Sequence, residues 1–440
     1  MIIPRAEHPI SRNLISDNAL KVLYRLRDAG FVSLLVGGCV RDLMLGHEPK
    51  DFDVVTDASP EQIQEVFRNA RLIGRRFRLA HIHFGREIIE VATFRGNPAV
   101  AAEGETQGDV ADAATGGRHQ RPPQADHNIF GTQEEDALRR DFTVNALYYN
   151  IRDFTVMDYV GGANDLKDGV MRMIGDPHLR YSEDPVRMLR AARFAAKLGF
   201  RIDAATAEPI RELGHLLLDV SPARMFEEVL KLFHGGYAAE TYELLRRYDL
   251  FRYLFPATDE SLASESENYP RVLLPKALEG TDVRVAQDKP VNPAFLFAAF
   301  LWEPMRLRVG RLTADGMKEP EAMRHAADEI LREQIRHISI PKRFSYPMRE
   351  IWEMQLRFPR RHGKNAFRLL EHKRFRAAYD FLVLRAQAGE ADAELAEWWT
   401  TFQEVIPEKR TDMVRSLAPE TGVRPKRRRR QRRPAGRDSA

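Results

Sequence analysis

Between Leu34 and Val55 the chain reads LLVGGCVRDLMLGHEPKDFDVV, and several residues in that stretch could do chemistry together. Gly37 and Gly38 separate an apolar run from a helix-like segment, where bare backbone lets N–H groups approach an anion closely. Arg41 follows one turn later and could reach the same anion. Asp51 and Asp53 sit in a second apolar run. On a strand, residues i and i+2 project from one face, so both carboxylates would enter one small volume. Their repulsion demands a cation. Oxygen ligands in this number suit Mg²⁺, which keeps waters and shares its shell with substrate phosphates. A turn-capping Asp beside a surface Asp paired with Lys50 would give the same letters, but the glycine pair fourteen residues upstream favours a metal site. Two ions are expected, with Mn²⁺ as the alternative metal. A third acid would complete the site, and two are available. Glu90 lies in the run IIEVATF, and Asp141 follows Arg139 and Arg140, which would bind phosphate or neutralise the acid.

Positioning such groups takes strands and helices in alternation. Residues 17–29 have apolar positions at helical spacing after a Ser-Asp start suited to capping. FVSLLV (31–36) predicts a buried strand, CVRDLMLG a short helix stopped at Gly46, and DFDVVT another strand. PEQIQEVF opens a helix with Pro60 in its first turn, and IIEVATF (88–94) is a further strand. Residues 98–127 lose all period and predict a flexible insertion. The pattern from Ile129 to Asn150 predicts helix, followed by a hairpin-like FTVMDYVGG. Beyond Asp165 strands become scarce, and helices dominate to about Ala396. Strands early and helices late predict an α+β head on an all-helical remainder.

Composition narrows the class. A chain of 440 residues suggests about two to four domains. No apolar run is long enough for a membrane span, the N-terminus lacks a secretory core, and a lone Cys39 excludes an internal disulfide framework. These features predict a cytosolic protein. The net charge of +4 hides an asymmetry: nine Lys/Arg and one Asp between Arg424 and the end leave residues 1–423 at −4. RPKRRRRQRRPAGR, including Arg427, Arg428, Arg429 and Arg430, cannot pack a core and would attract polyanions without sequence preference.

LVGGCVRDLMLG…KDFDVVT, RRDFTVNALYY and YSEDPVRMLRAARFAAKLGF together resemble the class II template-independent nucleotidyltransferases of the polymerase beta superfamily. This group contains tRNA CCA-adding enzymes and bacterial poly(A) polymerases. The motifs run in order from about Leu20 to Phe233, roughly half the chain. The resemblance implies a five-stranded polymerase beta-like head (1–165), a helical neck (166–235), a helical body (236–405) and a disordered basic tail (406–440). It implies that Gly37, Gly38, Arg41 and Arg140 hold the triphosphate, that Asp51 and Asp53 hold the metals, and that Asp141 is a third active-site acid. Cys39 stands where a small Gly or Ala is usual, its thiol expected near the phosphates and reactive. Taken as one helix, Glu183–Gly199 sets Arg187, Arg190, Arg193 and Lys197 along one basic strip beside an apolar sector. Asp184, one turn before Arg187, could meet it side by side, and in the family that pair presents hydrogen-bonding edges to the incoming base.

Two activities share these motifs. LIGRRFRLAHIHFG (72–85) resembles the segment that distinguishes bacterial poly(A) polymerases, and it gathers Arg75, Arg76 and Arg78 into an RNA-facing patch. The GKNAFRLLEHKRFRAAYDFLVLRA stretch and the basic tail agree, since a primer of any sequence needs grip on phosphates whereas tRNA demands recognition of shape. The expected activity is transfer of AMP from ATP to RNA 3′ ends with release of pyrophosphate. Rival readings are a CCA-adding enzyme, a non-catalytic RNA-binding relic, and nucleotide transfer to a protein or small molecule.

Overall fold

In the computed structural model, which describes residues 1–74, 78–96, 130–263 and 272–417, the early apolar runs assemble into one mixed sheet. Its eight strands are β1 (Ile2–Ile3), β2 (Ser33–Val36), β3 (Asp53–Thr56), β4 (Ala70–Ile73), β5 (Leu79–Phe84), β6 (Glu87–Thr93), β7 (Leu147–Asn150) and β8 (Val156–Asp158). They lie in the order β1-β8-β7-β2-β3-β6-β5-β4, with β3 and β6 parallel and the other pairs antiparallel. The sheet is wider than the five strands expected, and the short edge strands β1 and β4 contribute to that width.

Leu34, Val36, Val55 and Tyr148 project from one face and pack with Phe94, Ala137, Ala146 and Ile174. Helix α1 (Asp17–Asp28), capped by the Ser16 side chain accepting from the Ala19 N–H, buries Ala19, Val22, Leu23 and Leu26 beside β2. Helix α2 (Gly38–Met44) follows β2 directly, and α3 (Pro60–Val66) opens on a Ser59–Gln62 capping box.

Three local readings change. First, Ile129–Asn150 is not helical throughout: α4 covers Gln133–Arg139, a 3₁₀ turn covers Thr143–Asn145, and Leu147–Asn150 is β7, paired with β2. Leu147, Tyr148 and Tyr149 are all buried, and a short wholly apolar run carries no period to separate helix from strand. Second, the strand begins at Asp53, so Asp51 sits on the bend before it rather than two positions along it. Third, the neck helix is broken. Helix α5 (Gly162–Asp168) precedes α6 (Pro177–Glu183) and α7 (Val186–Leu198), and between the last two Asp184 has φ −147° and ψ 94°. Pro185 disfavours helical backbone in the residue before it.

The chain divides into two compact units, one of Met1–Ser264, Leu278–Val291 and Arg332–Ile340, the other of Glu265–Ala277, Asn292–Leu331 and Pro341–Ala440. The second is helical where described. Phe358, Phe375, Trp399 and Phe402 form the centre of one of its cores. The Trp352 indole N–H donates to the Ala298 carbonyl at 3.1 Å. Its last described helix, Pro407–Ser416, falls within the stretch expected to be disordered. The Arg410 guanidinium donates to the Phe402 and Gln403 carbonyls, and Val414 packs into the core, which holds this segment in place.

Candidate active site

The site begins where β2 ends. Gly37 has φ 77°, a left-handed conformation that glycine adopts without strain. A Cβ on Gly37 would stand 3.5 Å from Arg140 Nη1, 3.8 Å from the Asn145 carbonyl oxygen and 3.9 Å from Asp53 Oδ2. The glycine turn, the first acid of β3 and a guanidinium therefore meet around one point, as the spacing in the sequence required. Register explains how. Val36 faces Asp53 across β2–β3, Asp53 faces Glu90 across β3–β6, and Glu90 faces His81 across β6–β5. Directly opposed residues share a face, so the two acids stand side by side on it.

This arrangement is electrostatically incomplete. Burial and then the Glu90 charge push the Asp53 carboxyl up to about 6, Arg140 pulls it back, and Asp51 adds to the rise. Glu90 is half-exposed, with Oε1 3.4 Å from His81 Nε2, and Asp51 is exposed. Among the described residues no group of three or more His, Cys, Asp or Glu converges tightly enough to hold a metal ion by itself. The donor set nevertheless fits a hard cation that takes part of its shell from elsewhere: up to three carboxylates, one of them with its charged form disfavoured by burial.

Arg140 is aimed by its neighbours. Its Nε and Nη2 donate to Asp136 Oδ2 at 3.1 and 2.9 Å, and Nε also lies 3.1 Å from Tyr148 Oη. The Tyr148 hydroxyl donates to the same carboxylate oxygen at 2.7 Å. These bonds leave Nη1 turned toward Gly37. Arg41 behaves differently. Only 1% exposed, it donates from Nε to Asp42 and from Nη1 to Asn145 Oδ1 at 2.6 Å, with its Nη2 3.5 Å from where a Gly38 Cβ would be. It lies under the turn as a support, and its donors are largely occupied.

Asp141 also has a partner of its own. Its Oδ2 accepts from Arg190 Nε at 2.8 Å and from Arg190 Nη2, and its Oδ1 accepts from the Phe142 N–H and from Asn145 Nδ2. Burial opposes its charge, but Arg190 and these hydrogen bonds hold the carboxyl below its ordinary value. Of the two candidate third acids, Glu90 flanks Asp53, whereas Asp141 is committed to the neck.

The neck strip is mostly neutralised. Arg187 donates to Glu183 Oε2 and to the Arg180 carbonyl, Arg190 is paired with Asp141, and Lys197 reaches Asp42 Oδ2 at 3.3 Å. Asp184 does not meet Arg187; it accepts from Arg224 Nη2 at 2.7 Å, because the break at Pro185 turns it off the helix face. Arg193 is the exception. Among the described residues it meets no carboxylate within salt-bridge distance, and burial and Arg190 together push its guanidinium down to about 10. Its guanidinium carbon lies 4.6 Å from the centre of the Phe194 ring. Such a cation is poised for an anion.

Cys39 is 2% exposed and donates to the Val36 carbonyl, and burial pushes its thiol up to about 12. It is a packing residue, in place of the reactive thiol expected. Arg78 pairs with Glu61 at the surface. Arg75, Arg76, Arg427, Arg428, Arg429, Arg430 and the insertion at 98–127 lie outside the described residues. Asp136, Tyr148, Asn145 and Arg224 join the site without being among the residues named from the sequence. Asp136 and Arg140 are four apart on one helical turn, the one signal that could have found the pair.

Comparison with known proteins identifies the family. Residues 33–172 match the poly A polymerase head domain, 199–262 the probable RNA and SrmB-binding site of polymerase A, and 315–434 the polymerase A arginine-rich C-terminus. Poly(A) polymerase I of Escherichia coli O6:H1 is 52% identical over 437 residues, covering 98% of this chain and 91% of the relative. The chain belongs to the bacterial poly(A) polymerase family. Poly(A) polymerase I of Haemophilus influenzae is 47% identical across 94% of the chain and 90% of its own length. Among solved structures, the Bacillus stearothermophilus CCA-adding enzyme in complex with CTP aligns with a TM-score of 0.57, at 22% identity, over 87% of this chain and 82% of that one. That likeness shows the shared nucleotidyltransferase fold, a mixed-sheet head with a helical remainder. Among the described residues no helix is long and apolar enough to cross a membrane.

Proposed function

We propose that this poly(A) polymerase family member transfers AMP from ATP to the 3′ end of RNA without a template, releasing pyrophosphate. The observation that carries the reading is the meeting of Asp53 Oδ2 and Arg140 Nη1 at Gly37, which puts a carboxylate and a guanidinium beside one glycine turn. The similarity to poly(A) polymerase I along nearly the whole chain supports adenylate transfer over CCA addition.

Asp53 and Glu90, joined by Asp51 from the adjoining bend, are the residues that would hold Mg²⁺. Bound there, the ion would make the 3′-hydroxyl a better nucleophile and share its shell with the triphosphate. The protein's own groups do the rest. The first turn of α2 offers N–H groups without helical acceptors to the phosphates. Arg140 Nη1 offsets charge that builds on the departing pyrophosphate, and Asp136 and Tyr148 keep it from turning away. Arg193 contributes a second positive charge, with no carboxylate within salt-bridge distance among the described residues. The RNA 3′-oxygen attacks the α-phosphorus in line, its bond forming as the bond to the β-phosphate oxygen breaks. Asp184, Arg187 and Arg190 of the neck would orient the base, Asp184 after release from Arg224. The RNA upstream would be held by the basic tail and the 75–78 arginines through phosphate contacts. A cytosolic location goes with this chemistry and is supported by a single, buried, protonated cysteine.

The test is extension of an unstructured RNA primer with Mg²⁺ and each nucleoside triphosphate offered separately. AMP addition is the expected result. Preferential CMP addition to a tRNA lacking its terminus would replace the reading with CCA addition, and no extension with any triphosphate would overturn catalysis altogether.

A further inference from the structure

The glycine turn and the neck helix are joined through one amide. Asn145, 7% exposed at the end of the Thr143–Asn145 turn, accepts from Arg41 Nη1 at 2.6 Å through Oδ1 and donates through Nδ2 to Asp141 Oδ1 at 3.3 Å. Its orientation is forced, because a guanidinium only donates and a carboxylate only accepts. Beyond these partners the chain of contacts continues both ways. Arg41 Nη2 backs Gly38, and Asp141 Oδ2 holds Arg190 of α7. The Asn145 backbone carbonyl also stands 3.8 Å from where a Gly37 Cβ would be. One residue thus touches the turn with its main chain and the support of the turn with its side chain. With its other side-chain atom it reaches the acid that sets the neck arginine.

We propose that Asn145 is a positioning residue that couples the phosphate-facing turn to the base-facing neck helix, so that grip on the triphosphate and selection of the nucleobase act as one unit. The proposal rests on the nucleotidyl-transfer reading above. Few side chains can fill the place. An acid there would repel Asp141 and a base would repel Arg41, while an apolar residue would leave two buried charged groups each short of a partner. A second link runs in parallel: the Arg41 and Arg190 guanidinium carbons lie 5.5 and 5.2 Å from the centre of the Phe194 ring. Losing the amide should therefore loosen the coupling without parting the elements.

The experiment is a double-mutant cycle on equilibrium binding of ATP and CTP to the full chain with Mg²⁺, using Asn145→Ala, Arg190→Ala and the pair, with thermal melting beside it. Asn145→Ala is expected to weaken ATP binding about tenfold and CTP binding less, and Arg190→Ala on that background to add less than about twofold of its effect alone. Multiplicative losses, or equal loss for ATP and CTP, would overturn the proposal. Should Asn145→Ala melt far below wild type, the isosteric Asn145→Asp takes its place, since it keeps the acceptor for Arg41 and removes the donor to Asp141. It is expected to show the same lost coupling to Arg190, and intact coupling would overturn the relay. Failure of the wild-type chain to extend RNA would instead strike the activity proposed above, a result separable from the cycle because the cycle reads binding.

Discussion

Asp53 and Asp141 are both largely buried acids in the same unit, each within reach of an arginine, yet they sit in opposite electrostatic states. Asp53 has Glu90 in register beside it, and its carboxyl is pushed up to about 6 even with Arg140 near. Asp141 receives Arg190 and two further donors from protein groups, and its carboxyl is held down. The difference separates an acid that still needs a cation from one whose cation the fold already provides. The arginines divide in the same way: Arg190 is spent on Asp141, while Arg193 one turn on has no carboxylate within salt-bridge distance among the described residues. Unmet charge of both signs remains at the candidate site, and this is the expected signature of a surface completed by substrate and metal.

The largest effect should come from Asp53. Asp53→Asn is expected to lower AMP incorporation at least about a thousandfold, because it removes a charge from the group proposed to hold the metal. Its stability should move the other way. A carboxyl whose folded value is raised from 3.8 to about 6 keeps its proton longer in the folded state, so its contribution is fully present below the unfolded value and is lost as pH rises through the folded one. In metal-free buffer, wild-type stability should therefore carry a falling component between about pH 4 and 6 that denaturant titrations of Asp53→Asn lack. A variant that polymerised normally would remove the distinction drawn here.

Asp141→Asn should show the converse balance. Breaking a buried pair leaves Arg190 unmatched and costs about 3 kcal/mol, with a smaller fall in turnover than at Asp53. Urea unfolding and primer extension measured together decide it. An Asp141 variant of normal stability that lost activity as completely as Asp53→Asn would place Asp141 at the metal and break the comparison.

Glu90→Gln should sharpen it. With the neighbouring charge gone, the Asp53 carboxyl should titrate lower by carbon-detected NMR, and turnover should fall about ten- to a hundredfold if Glu90 shares the metal. A lowered Asp53 titration with unchanged turnover would leave Glu90 as an electrostatic neighbour only.

What the sequence disclosed follows the range of the interactions. Gly37, Gly38 and Asp53 were legible because an apolar run, a glycine turn and an acid at the start of the next apolar run position one another through adjacent strands. Of the eight strands, β2, β3 and β6 were legible for the same reason, whereas β1, β4, β5 and β7 were not. The ion-pair partner of Asp141 was not legible, because Arg190 is 49 residues away on a helix whose packing nothing local specifies. The charge spacing from Asp184 to Arg187 does not bring them together, because Pro185 decides the backbone of the residue before it. Tyr148 and Tyr149 read as helix until β2 supplied the hydrogen bonds of a ladder. Local spacing ranks candidates, whereas the partners that settle a charge come from the tertiary fold.

Cys39 provides the mildest test of the same principle, since burial is the largest influence on it. The thiol lies between β2 and α2, donates to the Val36 carbonyl at 3.2 Å and also feels the negative charge of Asp53, and both burial and that charge disfavour the thiolate. Alkylation requires the thiolate, so modification of the native chain at pH 8 should be slower than that of the urea-unfolded chain by more than about a hundredfold. Adding Mg²⁺ should leave that slow rate nearly unchanged, because the ion would relieve the repulsion from Asp53 without exposing the sulfur. Cys39→Ala should accordingly retain polymerisation within about threefold, its cost confined to a small loss of packing. Rapid alkylation of the folded chain, or protection of the thiol by ATP, would mean that the turn opens enough to expose its underside. In that case the rigid glycine seat from which Asp53 and Arg140 are measured would be a moving one.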